Sequence, residues 1–98
     1  MKNKIYISGP ITGHPIEQAT QRFAKIENAL SLAGFDPINP MNNGLPIDAP
    51  YNEHMLRDLE LLTECGSIYM LKGWENSKGA RIEFAEAVSR KMNIIFEK

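Results

Sequence analysis

The stretch KIYISGPITG, residues 4–13, runs through β-branched and aromatic residues and then breaks at Gly9-Pro10. Such side chains fit a pleated surface, and proline cannot donate to a ladder, so residues 4–8 are predicted to form a short buried strand that ends in a turn. The period then changes. Over residues 17–33, Ala19, Phe23, Ile26, Leu30 and Ala33 share one face of a predicted amphipathic helix, with Gly34 placed to end it.

Downstream, FDPINP (residues 35–40) has two prolines and poor strand propensity. A second strand is nevertheless expected there, because the helix ends cleanly and the chain must return to the sheet. Residues 40–50, dense in Pro, Asn and Gly, read as a loop. A second helix over 51–64 places Met55, Leu59 and Leu62 on one face. SIYML (67–71) reads as a third strand, Ser77 caps a third helix running to about residue 91, and NIIF (93–96) reads as a fourth strand.

Strand and helix alternate throughout, which predicts an α/β fold. The expected architecture is a flavodoxin-like or Rossmann-like three-layer sandwich, with a four-stranded parallel sheet in the order 2-1-3-4 and helices on both faces. A chain of 98 residues has room for one core, so residues 1–98 are expected to form a single domain. Ligands in such sheets bind beyond the carboxyl ends of the strands, near the point where strand order reverses. That rule selects the loops at residues 9–14 and 72–77.

Composition narrows the partners. The chain is 43% hydrophobic and 23% charged with a formal net charge of -1, and it has no basic run or Lys/Arg-rich helix face to neutralise a polymeric nucleic acid. Cys65 is the one cysteine, so no intrachain disulfide can form and a reducing cytoplasmic setting is expected. His14 and His54 do not make a zinc motif. No apolar run reaches the length of an export signal or a membrane span. No cofactor is implied. A four-stranded sheet leaves edges to cover, which favours a homo-oligomer.

Among the residues that could carry chemistry, Glu83 stands out in GWENSKGARIEF (residues 73–84). With about 100 degrees per residue, Phe84, Ala87 and Val88 share a stripe with Ala80, and Glu83 borders it. A capping box does not explain Glu83, because the position paired with Ser77 is Ala80. A salt bridge with Arg81 or Lys78 would. Asp58 borders the apolar stripe of the second helix in the same way, with a surface pair to Arg57 or a neighbouring lysine as the alternative. Two carboxylates beside one pocket are the usual apparatus for cleaving a glycosidic bond. SGPITG exposes backbone N–H groups of the kind that cradle phosphate or sugar oxygens, without the glycine spacing of a dinucleotide site or a P-loop. Tyr6 reaches a ligand or packs in the sheet. Trp74 is a stacking platform for a base or a lid over the core edge.

Together, YISGPITG, the NP after the second strand, DLELLTECGSIYML and GWENSKGARIEFAEA resemble the nucleoside 2-deoxyribosyltransferase-like superfamily, in particular its small DUF4406 branch. The resemblance spans nearly the whole chain. It implies a nucleoside or nucleotide ligand and cleavage or transfer at its N-glycosidic bond. Glu83 would be the nucleophile that forms a covalent glycosyl intermediate, Asp58 would bind sugar hydroxyls or assist base protonation, and Tyr6 would position the nucleophile. Gly9 would belong to the phosphate or sugar loop, with Pro10, Ile11 and Thr12 beside it, and Ser77 and Gly79 would complete the set; Trp74 joins the binding residues on its own reading as a stacking platform. Pro10 and Thr12 stand where the nucleotide N-glycosidase branch has Ser and Arg, so that branch's 5′-phosphate clamp is not carried over. Longer members lend C-terminal residues to a neighbouring subunit's site, whereas this chain stops at Lys98. The alternative function is non-catalytic nucleotide binding, as a sensor or sequestering protein.

Overall fold

A computed structural model describes residues 3–98. Four strands, β1 (Asn3–Ser8), β2 (Phe35–Ile38), β3 (Ser67–Met70) and β4 (Asn93–Phe96), alternate with three helices, α1 (Ile16–Leu32), α2 (Tyr51–Leu62) and α3 (Lys78–Ser89). The sheet is parallel throughout, as the alternation predicts, and its order β2-β1-β3-β4 is the one expected by analogy with flavodoxin-like sheets. Its register sets Ile5 opposite Pro37 on one side and Ser67 on the other. Pro37 is tolerated because β2 is an edge strand with a neighbour on one side only, where a missing N–H costs least.

Helix ends differ from the periodic expectation by one or two residues. α1 ends at Leu32, and Gly34 follows its cap in the left-handed region (φ 97°), where a side chain would be strained. α2 ends at Leu62 and α3 at Ser89, with Lys91 left-handed beyond it. The apolar pattern runs past these helices because the turns that follow are packed too: Cys65 and Met92 both join the core.

Because side chains alternate along a strand, the two faces of the sheet receive different residues. Ile5 and Ile7 pack with Phe23, Leu30 and Leu71 on the side covered by α1. Tyr6, Ile68 and Met70 face the other side, with Leu62 of α2 and Ala80 and Ala87 of α3. Small residues on α3 let that helix lie close to the sheet. The carboxyl ends of β1 and β3 therefore open beneath the start of α3. Among the described residues no helix is long and apolar enough to cross a membrane.

Candidate active site

A cavity of about 650 Å³ lies beyond the carboxyl ends of the strands, a size suited to a small organic molecule. Gly9, Ile11 and Thr12 from the loop after β1 line it, as do Tyr51, His54, Met55 and Asp58 of α2 and Ser77, Gly79, Ala80 and Glu83 at the start of α3. Met41, Leu45, Ile47 and Ala49 bring the loop before α2 onto it, and much of the lining is apolar.

Glu83 is 5% exposed on this cavity's wall. Both of its carboxylate oxygens are held: the Tyr6 hydroxyl donates to Oε2 at 2.7 Å, and the Ser8 hydroxyl donates to Oε1 at 2.7 Å. Burial pushes the Glu83 carboxyl up to about 7, with the nearby Asp58 charge adding to the rise and the two hydroxyls opposing it. The Tyr6 hydroxyl is driven well above its ordinary value, by burial first and by the Glu83 charge next, so it remains a donor. Among the described residues Glu83 has no ion-pair partner, so neither Arg81 nor Lys78 accounts for it.

Asp58, 6% exposed, lines the same cavity and accepts a hydrogen bond at Oδ1 from Asn43 Nδ2 at 2.9 Å. Burial raises its carboxyl, while the Asn43 contact and the Arg57 charge pull it down. The Arg57 guanidinium does not pair with it; its Nε donates to the Asn43 carbonyl at 3.0 Å.

The two glycines have packing reasons. A Cβ on Gly9 would lie 2.7 Å from Leu71 Cβ, so this turn sits against β3's end only because it has no side chain. A Cβ on Gly79 would lie 3.1 Å from Met55 Sδ and 3.4 Å from the Tyr51 hydroxyl, so Gly79 brings α3 close to α2 at the cavity wall. The Ser77 hydroxyl caps α3 by accepting from Ala80 N at 3.3 Å.

The fold brings Glu83, Asp58, Gly9, Ile11, Thr12, Ser77 and Gly79 onto one cavity, with Tyr6 directly behind Glu83. Pro10 and Trp74 lie outside that lining. Pro10 is buried, close to Gly73. Trp74 stacks on Phe84 with ring centroids 4.5 Å apart and tilts against Phe96 at 6.1 Å, so it covers the core edge and offers no platform in the cavity. The aromatic ring that does line the cavity is Tyr51.

Sequence reasoning missed Ser8, Asn43 and His54. Ser8 carried a usable signal, since a residue two places after Tyr6 on a strand shares its face. Asn43 carried none for the cavity: His54 and Asp58 are 11 and 15 residues away and meet it only when the loop folds onto α2.

A profile of the family described as Domain of unknown function (DUF4406) matches residues 3–96. The fold is similar to that of the 2-desoxiribosyltransferase from Leishmania mexicana, at 17% identity and a TM-score of 0.74. That match covers 96% of this chain and 63% of that one, so this chain spans somewhat less than two-thirds of that protein's length. No curated protein sequence matches.

Proposed function

The chain belongs to the DUF4406 family, and from that premise we propose that it cleaves or transfers the N-glycosidic bond of a (deoxy)nucleoside or nucleotide, with Glu83 as nucleophile. The observation that carries this reading is the buried Glu83 carboxylate, held at both oxygens by hydroxyl donors on the wall of a cavity that also contains Asp58. A carboxylate fixed in this way loses little freedom on attack, and its neighbours are in place before the substrate arrives.

In the proposed reaction one Glu83 oxygen bonds to C1′ as the C1′–N bond breaks, and the bonding pair leaves with the base. The base takes up a proton from water, while Asp58 binds a sugar hydroxyl. Water or an acceptor base then attacks C1′ from the opposite side, restoring the Glu83 carboxylate and, overall, the original configuration. The proton released by the attacking group passes to water. Positive charge that develops at the sugar favours the ionised form of Glu83, offsetting the burial that raises it.

The attacking form is the carboxylate, so activity rises with pH through about 7, where Glu83 ionises. Incubation of purified protein with a panel of deoxynucleosides and nucleotides, with and without an acceptor base, tests the proposal. Base release or exchange, with a sugar adduct on Glu83 trapped by mass spectrometry, is the expected result. Ligand binding without base release or exchange for any of these substrates would replace it with the binding-only reading.

A further inference from the structure

Both amide hydrogens and the amide oxygen of Asn43 are engaged beside the cavity. Oδ1 accepts from Leu45 N at 3.0 Å, and a backbone N–H can only donate, so the amide cannot be turned end for end. Nδ2 therefore faces Asp58 Oδ1 at 2.9 Å and His54 Nδ1 at 2.9 Å. A donor on this side requires an acceptor on the other. His54 Nδ1 must carry a lone pair, which places the imidazole hydrogen on Nε2. Asn43 is itself 3% exposed, and Arg57 Nε holds its carbonyl at 3.0 Å.

His54 and Asp58 both line the cavity. We propose that Asn43 is a positioning residue whose single side-chain amide couples these two groups, orienting the Asp58 carboxylate and holding His54 as its Nε2–H tautomer. The pair then offers a ligand one acceptor and one donor from neighbouring turns of α2. That combination matches a hydroxyl group, which donates through its hydrogen and accepts through a lone pair. A sugar hydroxyl is the chemical class it would read. The coupling stands on the hydrogen bonds alone; only its kinetic consequence rests on the glycosidic reading.

Nitrogen-15 labelling of the two histidines tests the coupling without substrate. In the wild type, His54 is expected to show a pyridine-like Nδ1 and a pyrrole-like Nε2, while the exposed His14 averages both tautomers. Asn43→Ala should make His54 resemble His14 and lower kcat by about 10-fold or more with a smaller change in KM. A wild-type His54 that carries its hydrogen on Nδ1, or averages like His14, overturns the proposal. So does an Asn43→Ala protein that keeps the wild-type His54 signature. If Asn43→Ala does not fold, the wild-type spectrum decides alone. A wild-type protein with the locked tautomer but no turnover removes the glycosidic reading and upholds the coupling.

Discussion

On the α1 side of the sheet, Ile5 and Ile7 of β1 join Phe23, Leu30 and Leu71 in a wholly apolar cluster. On the other side, Tyr6 and Ser8 of the same strand donate to a buried glutamate. One strand thus serves two ends through its period of two: alternate residues supply burial, and those between them supply hydrogen bonds. The difference in cost is large. Burying carbon stabilises the fold, whereas burying a carboxylate is tolerable only if its oxygens are partnered. Among the described residues no buried side-chain nitrogen or oxygen lacks a partner. The polar face is therefore a complete network, and its residual cost appears as the raised Glu83 carboxyl.

Substitutions on each face should separate these roles. The largest effect is expected for Glu83→Gln, which keeps the shape of the side chain but removes the carboxylate proposed to attack. Turnover should fall by about 1,000-fold or more while the circular dichroism spectrum is unchanged. Persistent exchange in this variant would break the assignment of chemistry to the polar face. Phe23→Ala, on the apolar face, should lose about 3–5 kcal/mol in urea unfolding and leave kcat of the folded protein near the wild-type value. A comparable loss of kcat would show that the two faces are not independent.

Next in size is the pH dependence of stability. Glu83 keeps its proton to about 7 in the folded state, against 4.5 as its ordinary value. Between those values folding takes up a proton, so stability is greatest below the lower one and falls as pH rises through the higher. The loss attributable to Glu83 is roughly 3 kcal/mol, and the raised Asp58 adds to it in the same direction. Unfolding curves across this range should show the fall, and Glu83→Gln should remove most of it. Stability that climbs over the same interval would contradict the burial argument.

Smaller effects should follow from the supports. Ser8→Ala leaves Glu83 Oε1 without its hydroxyl donor, at a cost of about 1–3 kcal/mol for the ionised form. The rising limb of the activity profile should move to higher pH, and an unmoved limb would make Ser8 a packing residue only. Gly79→Ala brings a methyl against the flexible Met55 thioether, so less than about 1 kcal/mol is expected in unfolding. A rise in KM would mark this wall as part of the ligand's surface.

Much of the architecture was legible because it rests on local patterns. Alternation in KIYIS, the spacing of Ala19, Phe23, Ile26 and Leu30, and the break at Gly9-Pro10 each report short-range sterics and burial, and together they imply a parallel α/β sheet; the strand order comes from analogy with flavodoxin-like sheets. Glu83 and Asp58 were legible only as residues bordering apolar stripes, since periodicity gives a direction around a helix but no neighbour. Resemblance to a family attached roles to them. Trp74 is grouped with the binding residues on local reasoning that cannot choose, because a tryptophan in a polar loop suits either a ligand or a core edge. Phe84 and Phe96 claim it in the folded chain.

The order of the elements, their periods and the end of the sheet where a ligand would sit were thus determined by the sequence alone, through forces that act over a few residues. Tertiary structure decided which hydroxyls meet Glu83, with Tyr6 and Ser8 lying 77 and 75 positions away in the chain. It also decided that one loop asparagine would join Asp58 to His54. Hydrogen bonds between distant residues depend on register and helix placement to within a fraction of an ångström, and no pattern of neighbouring residues encodes that distance.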